Sequence, residues 1–162
     1  MKCFFVPLNT YKHKTLYMKP SVFRSYMYYL ARARSEFYVH SPFVYALMTR
    51  CINGPGKRAF ESRDKLFDRL GQYLEKQYGR TRLVRCTEKA SISAFAAKVP
   101  EIMPMESIVV FVDKPYATAQ REKEWNDACA QSDITLTIDL FRAGIVFPFR
   151  DMEKEHFCLR YF

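Results

Sequence analysis

Ser107-Ile108-Val109-Val110-Phe111-Val112-Asp113 is the stretch on which the reading of the fold turns. Its apolar residues run without alternation, the pattern of a central strand covered on both faces, as in a largely parallel sheet. Similar short runs stand on either side of it, at Thr81–Cys86 and at 134–141. Between these runs, 91–99 and 118–131 have helical spacing. Strand, helix, strand, helix, strand predicts parallel pairing with right-handed crossovers. Two further runs, 145–149 and 156–162, follow with no helix between them. At least one of the last strands is therefore expected to be antiparallel, in a sheet of four or five strands.

Upstream the period changes to that of helices. Ser21 is placed to cap a helix in which Val22, Phe23, Tyr26, Met27, Leu30 and Ala33 form one apolar stripe. Arg24, Tyr28 and Arg32 then fall on the opposite side, with Arg34 just beyond. Ser41-Pro42 suits the start of a second helix, since the proline's missing N–H has no helical partner at that position. Its apolar positions are Val44, Leu47, Met48 and Cys51, and Asn53-Gly54-Pro55-Gly56 stops it. Leu66, Phe67, Leu70, Tyr73, Leu74 and Tyr78 mark a third helix, ended by Gly79. Residues 1–20 have no periodicity and read as a basic arm. The expected organisation is that arm followed by a single α/β domain over 21–162, helices over 21–80 and the strand and helix half over 81–162.

With 162 residues, 49% of them apolar, the chain has the length and composition of one folded domain. Its net charge of +9 is uneven: residues 1–53 hold eight Lys and Arg against one acid, Glu36, and so carry +7 of it. A basic face of this kind suits an acidic protein partner, nucleic acid or an anionic surface. No apolar run reaches the roughly 18 residues of a membrane-spanning helix. The apolar part of Met1-Lys2-Cys3-Phe4-Phe5-Val6-Pro7-Leu8 is shorter than a secretory leader requires. Five scattered cysteines, with no Cys-x-x-Cys pair, read as reduced thiols of a cytoplasmic protein.

Ligands of open α/β sheets sit beyond the C-terminal ends of the strands. Here those ends are Thr87-Glu88-Lys89-Ala90 and Asp113-Lys114-Pro115-Tyr116. A phosphate cradle needs glycines so that backbone amides can approach the ligand, and the five glycines, at 54, 56, 71, 79 and 144, all lie elsewhere. The candidate catalytic residues are Asp113, Tyr116 and His40. Each has a bland alternative: Asp113 capping the following helix, Tyr116 and Trp125 packing, His40 fixing the start of the second helix. His156 and Cys158 alternate on one strand and share a face, with nothing to orient them as a nucleophile and base. Arg24, Tyr28, Arg32 and Arg34 mix cations with a ring as nucleic-acid surfaces do, or form a solvated helix face.

Tyr29-Leu30-Ala31-Arg32-Ala33-Arg34 with Val39-His40-Ser41-Pro42-Phe43-Val44 resembles the opening of a bacterial group of class I S-adenosylmethionine-dependent methyltransferases. Ser107 to Asp113 is similar to that family's fifth strand, with Glu124-Trp125 in the helix after it. The run from Ile134 to Phe141 is similar to its sixth, and Gly144-Ile145-Val146-Phe147 and Glu155-His156-Phe157 to its ending. The resemblance implies a small Rossmann-like mixed sheet whose cofactor-binding half, with its glycine turn and ribose-binding acid, is missing. It also equates Thr87 with a position where metal-dependent members carry an acid, and Lys114 with the second member of an acidic pair. An ammonium group there repels a divalent cation. Three functional readings follow. The first is a degenerate, non-catalytic methyltransferase-like protein with no cofactor, acting through an unknown protein partner. The second is an active S-adenosylmethionine-dependent enzyme with an atypical or dimer-completed site. The third is nucleic-acid or anionic-surface binding by the basic N-terminal helix. Loss of the first strands leaves the Thr81–Cys86 strand as a sheet edge, to be covered by the third helix or by a second copy of the chain.

Overall fold

In the computed structural model the chain is described over residues 19–55, 61–79, 81–95, 107–147 and 153–161. The expected arm up to residue 18 lies outside this range, as do residues 96–99, 148–149 and 162 of the expected elements. The helices are α1 (Pro20–Arg32), α2 (Pro42–Leu47), α3 (Arg63–Tyr78) and α4 (Ala119–Ala130). The strands are β1 (Thr81–Cys86), β2 (Ser107–Asp113), β3 (Leu136–Asp139), β4 (Ala143–Phe147) and β5 (Glu155–Cys158). They form one mixed α/β sheet in the order β1-β2-β4-β3-β5.

The expected parallel succession holds for β1 and β2, whose register runs from Thr81 opposite Ser107 to Cys86 opposite Val112. It fails for β3, which does not pair with β2. Instead β4 lies between them, antiparallel to both. The two-residue turn Phe141-Arg142 explains this, because a loop so short can only return the chain beside β3 in the opposite direction. The antiparallel member expected near the C-terminal end is thus β4. β5 then pairs parallel with β3, and the backbone of Arg34 adds a single parallel bridge beyond β5 at Leu159.

Both sheet faces are covered, as the unbroken apolar run of β2 requires. Val109 and Phe111 enter a core with Leu47, Met48 and Ile52 from α2 and the π-helical turn that extends it, and with Leu66, Leu70 and Leu74 of α3. Ile108, Val110 and Val112 enter a second core with Trp125 and Ala128 of α4. Each fully buried leucine of α3 contributes about 1.5–3 kcal/mol of burial energy. α3 begins where Ser62 caps it, its side chain accepting the Lys65 N–H at 3.3 Å. Tyr78, expected in the buried stripe, is half exposed and packs at a tilt against Phe43 instead. α3 packs against β1, which remains the edge strand among the described residues.

α1 departs from expectation in its rotation. It begins at Pro20, with Lys19 rather than Ser21 at the cap position and no side-chain cap bond. It buries Ser25, Tyr29 and Ala33, while Phe23 and Met27 are exposed beside Arg24 and Tyr28. Two long-range hydrogen bonds set this rotation: Ser25 Oγ donates to Glu122 Oε2 on α4 at 2.8 Å, and the Tyr29 hydroxyl donates to the Leu159 carbonyl. Glycine is needed at 144, where a Cβ would collide with the Trp125 indole. Among the described residues no helix is long and apolar enough to cross a membrane.

Candidate functional site

The C-terminal ends of β1, β2 and β3 carry the densest polar chemistry of the described chain. Between the first two lies the side chain of Arg121, from the first turn of α4. Thr118 caps that helix, its Oγ1 accepting the Arg121 N–H at 3.1 Å. The Arg121 guanidinium is buried, and apart from a 3.9 Å contact of Nη2 with the Cys86 thiol its hydrogen bonds go to carbonyl oxygens. Nε donates to Asp113 O and Lys114 O, Nη1 to Ala90 O at 2.7 Å and Glu88 O at 3.3 Å, and Nη2 to Cys86 O, Thr87 O and Asp113 O. Both strand-end turns therefore point carbonyls inward, where an anion-binding loop would point N–H groups.

Asp113 stands at the end of β2 as expected but caps no helix. It takes a bidentate pair from Arg85 of β1, Nε to Oδ2 at 2.8 Å and Nη2 to Oδ1 at 3.1 Å. Arg85 also reaches Asp64 of α3 at 2.7 Å. These carboxylates hold its guanidinium above the ordinary range. Asp113 is thus committed to joining neighbouring strands.

Tyr116 follows in the turn after β2, and its hydroxyl donates to Oδ2 of Asp139, the last residue of β3. Asp139 is 2% exposed, and its Oδ1 accepts the Phe141 N–H at 2.8 Å. Burial pushes its carboxyl up from the ordinary value, and the hydrogen bonds from Tyr116 and Phe141 oppose that shift. Burial raises the Tyr116 phenol as well, with the Asp139 carboxylate adding to the effect. Phe141 has φ 61°, a left-handed conformation that a tight hairpin turn usually assigns to glycine or asparagine. Its ring stacks on Tyr116 with centroids 5.1 Å apart and packs on Tyr26 and Tyr29 of α1 at 4.9 and 5.3 Å. Lys114, φ 41°, is the other non-glycine residue with positive φ among the described residues. Its N–H donates to the Arg142 carbonyl at 3.1 Å, tying the β2 turn to the β3–β4 hairpin.

A cavity of about 190 Å³ opens between these two turns. Val22, Arg63, Lys114, Tyr116, Phe141 and Arg142 are among its lining residues. Glu88 bridges two of the cations, Lys114 at 2.6 Å and Arg63 at 3.1 Å. The Lys114 bond, with Arg63 behind it, holds the Glu88 carboxyl below its usual range.

The remaining candidates lie elsewhere. His40 is exposed beyond the far end of α1, in a groove it shares with Arg32, Arg34, Tyr38, His156 and Cys158. It therefore does not join Asp113 and Tyr116. His156 and Cys158 share a face of β5 as expected, but they point to different partners: His156 Nδ1 lies 2.7 Å from Thr137 Oγ1, and Cys158 Sγ lies 3.8 Å from the Tyr29 carbonyl. Burial pushes the Cys158 and Cys129 thiols up to about 12, which makes both poor nucleophiles. The four described cysteines are free thiols. Arg24, Tyr28 and Arg32 lie exposed along α1, with the Arg32 guanidinium 5.1 Å from the Tyr28 ring centroid. Arg34 is exposed too, but its backbone belongs to the sheet edge.

Arg121, Asp139 and Phe141 escape a sequence reading of the site. Asp139 has a faint signal, an acid ending an otherwise apolar run; Arg121 sits in a charged helix and has none. Among the described residues no group of three or more His, Cys, Asp or Glu is arranged to hold a metal ion. No family model matches the chain, and neither a curated protein nor a solved structure matches it.

Proposed function

We propose that this is a methyltransferase-like protein that performs no methyl transfer and acts by binding an acidic protein partner. The observation that carries the reading is Arg121. The resemblance places the cofactor on strands that would lie beyond β1, which is the edge strand among the described residues, and at the crevice that remains, between β1 and β2, the guanidinium fills the space while the turns offer it carbonyls. The chemistry-bearing side chains nearby are committed to one another: Asp113 to Arg85, and Tyr116 to Asp139. The outer face of α1 supports the binding role. Phe23, Met27 and Tyr28 are each at least half exposed next to Arg24, and Phe37 just after the helix is 79% exposed. Isolated exposed apolar side chains are ordinary, but a run of them among arginines is the composition of an interface. The +7 charge of residues 1–53 selects an acidic partner.

Calorimetric titration with S-adenosylmethionine tests the catalytic half of this reading, and no saturable heat is expected. Tight binding overturns it and restores the enzyme with an atypical or dimer-completed site. The α1 half predicts that Arg24→Glu with Arg32→Glu abolishes binding to an acidic polypeptide such as polyglutamate. Preferential binding of an oligonucleotide, with an affinity falling steeply as salt rises, would favour nucleic acid as the partner instead.

A further inference from the structure

We infer that the cavity between the β2 turn and the β3–β4 hairpin is a binding site for a small aromatic acid, one ring bearing a single carboxylate or phosphate. This inference is independent of what α1 binds. The cavity's charge is the first argument. Three cations line it, Arg63, Lys114 and Arg142, and no carboxylate does. Glu88 pairs with the first two from outside the lining, and no ion pair engages Arg142 among the described residues. One carboxylate shared by two cations leaves the wall positive, so an entering anion finds donors that are only partly satisfied.

Shape is the second argument. The other walls are the Val22 side chain and the stacked Tyr116 and Phe141 rings, an apolar surface suited to a flat ring. At about 190 Å³ the cavity is smaller than the roughly 300–1,000 Å³ of sites for drug-sized ligands. A single ring with one acidic group is the matching size.

Backbone strain is the third. The two non-glycine residues held at positive φ among the described residues, Lys114 and Phe141, both line this cavity. Such conformations persist only where their surroundings enforce them, a pattern that concentrates at binding sites. The Lys114 N–H to Arg142 carbonyl bond locks the two strained turns together and so fixes the spacing of two of the cations.

The test is calorimetric titration of the full chain with benzoate, phenyl phosphate, inorganic phosphate and neutral benzyl alcohol. Saturable 1:1 binding is expected for benzoate, phenyl phosphate or both, and which of them binds identifies the acidic group. Arg142→Ala and Lys114→Ala should each weaken it about tenfold, the loss of one charge-assisted contact. Val22→Phe, which fills the cavity from α1 and leaves every cation in place, should abolish binding while the circular dichroism spectrum stays native. The inference is overturned if neither aromatic acid saturates. It is equally overturned if inorganic phosphate or benzyl alcohol binds as tightly as the best acid, or if natively folded Arg142→Ala and Val22→Phe proteins bind as the parent does.

Discussion

Replacing Arg121 with methionine keeps most of the side-chain volume and deletes every donor, so it isolates what the guanidinium contributes. Six carbonyl oxygens lose a partner: those of Cys86, Thr87, Glu88, Ala90, Asp113 and Lys114. Four of them are reached through only partly buried bonds, and water can refill those sites at small net cost. The Cys86 and Asp113 carbonyls bond Arg121 in buried surroundings, and an unsatisfied buried acceptor costs about 1–3 kcal/mol. Burying a thioether instead of a charge returns part of this, which leaves a net destabilisation of about 2–4 kcal/mol. That is a large share of the roughly 5–15 kcal/mol that holds a domain together. Urea unfolding should show it as a midpoint lowered by about 1–2 M. Arg121→Lys, with three donors on a point charge, should recover less than half of the loss. Hydrogen exchange adds a local readout, since the Ala90 and Ala117 amides sit in the two turns that the guanidinium joins and should lose protection first. If Arg121→Met unfolds at the parent midpoint, Arg121 is not what closes the crevice, and the main support for a non-catalytic reading is gone.

Phe141→Gly relieves a strained φ worth about 1–3 kcal/mol but deletes a ring packed on Tyr26, Tyr29 and Tyr116, worth about 3–5 kcal/mol. A net loss of about 2 kcal/mol is expected in urea unfolding, and a gain would show that the ring cluster does not hold the turn. Gly144→Ala drives a methyl group into the Trp125 indole and should destabilise by about 1–3 kcal/mol or more, with altered tryptophan fluorescence in the native state; parent-like stability would contradict the close approach. The raised carboxyl of Asp139 carries a definite sign. The folded protein holds this proton more tightly than the unfolded chain, so the stability it contributes is full below the unfolded carboxyl's pKa and is lost as the pH rises through the folded one. Asp139→Asn should remove that part of the decline in a pH series of urea midpoints, and an unchanged slope would refute the assignment.

What was legible in the sequence is what short-range pattern encodes. Ile108 to Val112 announces a strand covered on both faces because each of its alternating sets meets a complete apolar core. Leu66, Leu70 and Leu74 announce α3 because four-residue spacing puts them on one side. α1 was misread in rotation for a physical reason. Apolar residues occupy Val22, Phe23, Tyr26 and Met27, so two overlapping stripes were available, and periodicity does not choose between them. The choice falls to hydrogen bonds from Ser25 and Tyr29 to residues 97 and 130 positions away. The sheet order was misread at the same level, since Phe141-Arg142 carries none of the Gly or Asn signals of a two-residue hairpin.

That missing signal also explains why the site was only half legible. Asp113, Tyr116 and His40 are residue types that carry reactions in many proteins, and the first two lie at the end of β2 and in the turn after it. Here both are consumed by partners on neighbouring strands, Arg85 and Asp139. The groups left with unsatisfied capacity are the cations on the strained turns, Lys114 and Arg142, which no reactive motif would single out. A turn that held glycine at 141 would form without strain and lose the ring that joins α1 to the hairpin. The same residue thus breaks the local rule of the turn, anchors α1 and forms one wall of the cavity. Rule-breaking of this kind marks a turn whose conformation is set by what packs on it rather than by its own sequence.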